Sequence, residues 1–277
     1  MTAVVLAAVS AALFGTMTVL FRIALRAAPD PRRATAAAIL PALAIALLAV
    51  AIRPAPVADA WPFALTGVLA PGLSQVSFTF AIAAVGASRA SAVLGTAPLV
   101  AVAIAVVALH ESLSAPLLAG AVLVVAGGVA LVGESGRPQE LRPVGLVLAA
   151  LTVLLFASRD NLVRALADNG AASPETAAAA TMASAALVAL VYAGGIPDRA
   201  TLRAFLPVGI CFGVSYLLLF EAYYRGRVTV VSPLVATETL WGVGLSAVLL
   251  RSELVGRRLV LGAVAIVAGG VLIGIYR

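Results

Sequence analysis

The 277-residue chain is 63% hydrophobic and only 11% charged, with mean hydropathy +1.13 and formal net charge +6. Soluble domains are about 45–50% apolar and about 25% charged, so a soluble fold is excluded: too few polar side chains exist to cover its surface. All 18 basic residues are arginine, which removes the lysine of a Walker phosphate loop and of a Schiff base, while one cysteine (Cys211) and one histidine (His110) exclude an intrachain disulfide and a multi-histidine metal site.

A helix crossing a bilayer needs roughly 20 mostly apolar residues. Runs of that length predict spans near residues 3–26, 35–52, 62–84, 90–109, 115–133, 144–165, 175–193, 204–223, 229–250 and 259–276. The fold class expected is all-α integral membrane, with ten transmembrane helices. Breakers fit the gaps: Pro29-Asp30-Pro31, Pro54-Ala55-Pro56, Pro138 and Gly194-Gly195-Ile196-Pro197. Ser114 before Pro116 and Ser173 before Pro174 read as helix openings. Between the third and fourth spans only Gly86-Ala87-Ser88-Arg89 marks a turn. Residues 1–20 have the apolar character of a signal sequence but no basic leading segment, and are read as a mature helix.

A constant shift of 142 residues superimposes the two halves. It carries Phe14 onto Phe156, Arg22 onto Arg164, Phe78 onto Phe220, Glu111 onto Glu253 and Gly120 onto Gly262. Ala126-Gly127-Gly128-Val129 falls on Ala268-Gly269-Gly270-Val271. Low complexity explains coincidences of alanine and leucine, but not these charged, aromatic and glycine matches. The chain is therefore divided into two five-helix repeats, residues 1–136 and 137–277. Five is odd, so the second repeat enters the membrane from the opposite side and the repeats are inverted.

Leu13-Phe14-Gly15-Thr16, the paired His110-Glu111-Ser112-Leu113 and Ser252-Glu253-Leu254, and the Gly120…Ala-Gly-Gly and Gly262…Ala-Gly-Gly endings resemble the drug/metabolite transporter superfamily, EamA type. The resemblance covers essentially the whole chain. It implies two EamA-like five-helix repeats and a cavity lined by helices one to four and six to nine. It also implies secondary transport, often export of amino acids or other metabolites, and both termini in the cytoplasm. The arginines point the other way, with six on the side of the termini (53, 159, 164, 225, 227, 277) and twelve opposite. The carboxylate in helix nine, Glu238, departs from the family pattern.

Glu238 is the leading candidate for chemistry. A charge at mid-bilayer costs about 2.5–3.5 kcal/mol on insertion scales, so it is expected to face a cavity or a partner. Trp241, one turn on, shares its face and offers a ring to a substrate or cation. In helix six, Asp160 and Arg164 are spaced to neutralise each other, leaving Arg159 for Glu238 or for an anionic substrate group. Pro71, Gln75 and Thr79 form a polar stripe in helix three, expected to line a cavity or pack between helices. Thr16 and Thr18 are weaker candidates, because a threonine hydroxyl can bond its own backbone. Tyr216, Phe220, Tyr223 and Tyr224 share a broad face of helix eight, where core packing or an interfacial belt competes with substrate contact. Glu221 has Arg225 four residues on, and Glu111 and Glu253 are expected to act on the N-terminal dipole of the helix each precedes. Gly120, Gly127, Gly262 and Gly269, with the Gly270/Gly274 pair, should admit close backbone approach, within one chain or between two.

These features favour a non-enzymatic, secondary active transporter of a small metabolite or amino acid in the cell membrane, with proton coupling through Glu238 as one form. An intramembrane enzyme and a non-transporting scaffold remain as alternatives. The partners expected are the lipid bilayer and a small-molecule substrate, with the chain a monomer or homodimer. The arginines sit singly or in pairs, as interfacial anchors do, so no nucleic-acid partner is expected. No cofactor or metal is expected either.

Overall fold

The computed structural model describes residues 1–85, 90, 93–131, 143–170, 172–250 and 257–276. Every regular element among them is helical: α1 Thr2–Ala27, α2 Pro31–Ile52, a 3-10 turn Ala58–Ala60, α3 Phe63–Gly67, a π turn Val68–Leu73, α4 Ser74–Val85, α5 Ala97–Ala108, α6 Ala115–Leu131, α7 Pro143–Asp168, α8 Pro174–Ala193, α9 Arg199–Arg225, α10 Val228–Val235, α11 Glu238–Leu250 and α12 Arg257–Tyr276. Seven segments are long and apolar enough to cross a membrane, counting residues 63–82 and 228–245 as one each. Three shorter apolar helices, Ala97–Ala108, Ala115–Ala130 and Leu261–Tyr276, fall where the fourth, fifth and tenth spans were expected.

Two helices begin earlier than hydropathy suggests, each for a capping reason. Asp30 accepts from the N–H groups of Arg32 and Arg33, and Pro31 takes the first helical position, so α2 starts four residues before the apolar run. Asp198 does the same for α9, accepting from Ala200 and Thr201 N–H at 3.0 and 2.9 Å. Those bonds from Thr201 hold the exposed Asp198 carboxyl below its ordinary range. Ser173 caps α8 as expected, accepting from Thr176 N–H, and Gly194 closes that helix at φ +73°.

Three expected spans are interrupted. Ala70 is extended (φ −149°, ψ 126°) ahead of Pro71, dividing the third span into α3, the π turn and α4; proline disfavours helical backbone in the residue before it. Gly95 and Thr96 form a turn before α5, with the Thr96 hydroxyl donating to the Val93 carbonyl at 2.7 Å. Ala236 and Thr237 form another between α10 and α11, with the Thr237 hydroxyl on the Leu234 carbonyl at 2.6 Å. The expected Gly86–Arg89 turn and Glu253 lie outside the described residues.

Packing crosses between the halves throughout. α1 lies on α9, α10 and α11, while its counterpart α7 lies on α4 and α5; α2 packs on α9 as α8 packs on α3. α6 and α12 form an antiparallel pair that also packs on α10. In lipid, helix association relies on close packing, and small residues permit it. A Cβ on Gly120 would lie 2.9 Å from the Gly269 carbonyl oxygen, and one on Gly127 2.6 Å from that of Gly262. These glycines therefore meet each other within one chain. Gly274, expected to form a small-residue pair with Gly270, faces open space instead.

Gly127→Val is expected to destabilise the protein by about 1–3 kcal/mol through overpacking, whereas Gly274→Ala should be neutral or slightly stabilising. Thermal unfolding in detergent distinguishes the two; equal melting temperatures would contradict this packing.

Candidate functional site

α7 runs through the interior, and its run Arg159-Asp160-Asn161 is only 5, 7 and 5% exposed. Arg159 lies about 24 Å along a helix about 39 Å long, slightly past its middle. Its Nε approaches Asp160 Oδ1 at 2.9 Å, an ion pair between successive residues. Asp160 Oδ2 accepts from the Ser232 hydroxyl of α10 at 3.0 Å. Asn161 Nδ2 donates to the Ala101 carbonyl of α5 at 3.0 Å and to Ala157 at 2.8 Å. One triplet thus ties α7 to the discontinuous helices on both sides.

An aromatic floor lies beneath the guanidinium. Arg159 sits 5.2 Å from the ring centre of Tyr216 and 5.5 Å from that of Phe156, within the range of a cation–π attraction. Tyr216 is fully buried and packs edge-on against Phe14 and Phe212, with centroids at 5.7 and 5.0 Å. Tyr223 is likewise buried, and its carbonyl accepts from Arg164. Beyond the Arg159 Nε–Asp160 Oδ1 ion pair, Arg159 Nη1 and Asn161 Oδ1 make no hydrogen bond among the described residues. Buried polar groups are normally paired, and such exceptions concentrate where a further group binds.

The charge pairing expected in α7 is corrected here. Arg164 does not neutralise Asp160; it pairs with Asp168 at 2.8 Å and donates to the Tyr223 carbonyl at 2.9 Å. Asp168 offers the same i,i+4 spacing at a solvated helix end, and Asp160 turns inward to Ser232 instead. Arg159 is consequently engaged by its own neighbour and closes no ion pair with Glu238, although the two charges interact electrostatically.

Glu238 stands not in mid-helix but at the first residue of α11, just after the break, and is half-buried. The close approach of α1 and α11 positions it: a Cβ on Gly15 would lie 2.6 Å from the Glu238 carbonyl oxygen and 2.7 Å from Gly242 N. Trp241 belongs to the same contact through its Cβ, but the residue is 47% exposed.

The remaining candidates take simpler places. Thr16 and Thr18 donate to Ala12 and Phe14 carbonyls at 2.8 and 3.1 Å. Thr79 donates to the Gln75 carbonyl at 2.9 Å, Gln75 is half-buried, and Pro71 is buried in the π turn. Glu221 pairs with Arg225, and His110 is exposed at φ 53°. Glu111 departs from expectation. It accepts at 2.8 Å from both Val228 and Thr229 N–H, the start of α10, and not from the helix it precedes. Ser232 and Asn161 were not singled out as site residues, because tertiary contact alone marks them. An apolar groove of about 520 Å³ lined by Leu99, Val100, Ala103, Ile104, Val107 and Ala108 lies along α5 and holds none of these groups.

A model of the EamA-like transporter family matches residues 1–133 and again residues 143–275. A solved structure described only as "Crystal structure of protein" is similar in fold, with TM-score 0.83 at 20% identity, covering 99% of this chain and 96% of the other. No curated protein matches.

Asp160→Ala leaves the buried Arg159 charge uncompensated and should cost about 3–5 kcal/mol, while the double change Arg159→Met, Asp160→Leu should cost much less. Melting temperatures of the three proteins check this; a double variant as unstable as the single one contradicts it.

Proposed function

The chain belongs to the EamA-like transporter family, and from that premise we propose that it is a secondary active transporter. Ten spans form two inverted five-helix repeats, divided near residue 136, that rock about the site between α7 and α9–α11. The three shorter apolar helices are the fourth, fifth and tenth spans. The solute is an amino acid or small metabolite, moved outward across the cell membrane. Its acidic group is held by Arg159 and its cationic or hydroxyl group by Glu238, with the Tyr216 face between them. Gln75 and Thr79 line the entry from α4, and Thr16, Thr18 and Trp241 border the site from α1 and α11. Both termini lie in the cytoplasm, and the protein works as a monomer or homodimer.

The observation that carries this reading is the buried Arg159–Asp160–Asn161 cluster, in which Arg159 Nη1 and Asn161 Oδ1 have no hydrogen-bond partner among the described residues. In lipid such groups are costly unless a cavity or solute engages them. The helix breaks support it as well: Gly95 and Thr96 shifted by 142 residues fall on Thr237 and Glu238, one residue from the turn at Ala236 and Thr237. Paired discontinuities near mid-membrane are where inverted-repeat transporters place their solutes. Glu238, at such a break, is also placed to bind and release a proton.

Reconstituted protein should accumulate or release a solute identified by thermal stabilisation. Glu238→Gln should retain its fold yet transport at less than a tenth of the wild-type rate. Unchanged transport in this variant removes Glu238 from the mechanism. Absence of stabilisation and flux with every amino acid and organic acid tried removes the substrate class. A cysteine added after Arg277, labelled only from the cytoplasmic face, tests the orientation.

A further inference from the structure

The Glu111 contact joins the two halves at one membrane face. Its carboxylate accepts two backbone N–H bonds, from Val228 and Thr229, both at 2.8 Å and 117 and 118 residues away in sequence. The contact is reciprocated. Arg227, immediately before those amides, donates to the Ser112 carbonyl at 3.0 Å and also to the Ser112 hydroxyl. The loop after α5 and the turn before α10 thus hold each other through four hydrogen bonds, two to a carboxylate and two from a guanidinium. Hydrogen bonds to a charged group are stronger than those between neutral groups, and a carboxylate at a helix start gains further from the helix dipole.

Its position gives the clasp a consequence. α10 has only eight residues, so Ser232, the partner of Asp160, lies about 6 Å along the axis from Val228. Between clasp and cluster, α10 is flanked by α5 and α7, and Asn161 ties those two together through the Ala101 carbonyl. The end of α5 and the start of α10, which the clasp joins, belong to helices that both pack on α7, the helix that carries Arg159. Two further bonds fasten the end of α9, which leads into α10: Arg164 donates to the Tyr223 carbonyl and the Tyr224 hydroxyl to the Ala172 carbonyl, both at 2.9 Å.

We infer that the Glu111–Val228/Thr229 and Arg227–Ser112 clasp is the latch of one gate: intact, it seals the Arg159 site from this face, and it opens in each transport cycle. This rests on the rocking-transporter reading above. Glu111 acts through α10 and is a positioning residue, touching no solute. A cap with no gating role would stabilise α10 without controlling access, and that is the distinction to measure.

The test places a single cysteine at Ser232 in a Cys211→Ser background, reconstituted in liposomes. A membrane-impermeant maleimide is applied from the Glu111 face and then, separately, from the opposite face. Glu111→Gln and Arg227→Gln are each introduced. Both should raise the labelling rate from the Glu111 face, by about tenfold for Glu111→Gln and less for Arg227→Gln, without raising it from the opposite face. Should Glu111→Gln not fold, as judged by its melting curve, Arg227→Gln with Ser112→Ala removes the reciprocal arm and carries the same expectation. Labelling unchanged in folded variants overturns the latch, as does an equal rise from both faces, which reports general loosening. No solute enters this measurement, so a failed flux assay and a failed latch are told apart.

Discussion

The buried pair between Arg159 and Asp160 constrains the rest of the structure. Successive residues of a helix point about 100° apart, so the two side chains meet only by folding toward each other within an interior pocket of α7. They leave Arg159 Nη1 without a hydrogen bond among the described residues. Such a pair in lipid is stable only with further support, and the neighbouring helices supply it. Ser232 bonds the carboxylate, Tyr216 and Phe156 lie against the guanidinium, and Asn161 fastens α7 to α5. Two of the helices in this support, α5 and α10, are short ones that border the turns at Gly95–Thr96 and Ala236–Thr237.

Those interruptions have separate local causes but a common effect. Proline extends Ala70, while the turns at Gly95–Thr96 and Ala236–Thr237 each carry a threonine hydroxyl bonded back to a carbonyl three residues earlier. Irregular backbone at membrane depth persists where protein or a polar cavity can satisfy it. Two of the turns fall at nearly equivalent positions of the two repeats, and one of them delivers Glu238 to the start of a helix. The continuous pair α6 and α12 is instead fastened through glycine backbones and backs onto α10 from outside the polar cluster's own helix α7.

Much of this was legible in the chain. Composition alone places it in lipid, and the 142-residue shift reveals the two repeats that the family model also matches. Tyr216, Arg159 and Glu238 were recognisable as candidates because polar or aromatic groups in an apolar span are conspicuous. The errors share one cause. Spacing rules see only neighbours along a helix, so they paired Asp160 with Arg164 and gave Glu111 to its own helix, whereas both carboxylates reach across to α10. Hydropathy also treats each span as a continuous rod, and so hid the turn that sets Glu238 at a helix start.

The central claim is that the halves move against each other about the Arg159 cluster. The most direct measurement is a distance distribution by pulsed electron paramagnetic resonance in lipid. Nitroxides would be placed at His110, after α5, and Asn169, after α7, both exposed and on different repeats, in a Cys211→Ser background. Rocking predicts two resolved distances, with the longer gaining population when a transported solute or a proton gradient is supplied. A single narrow distance, unaltered under every condition, would contradict the account.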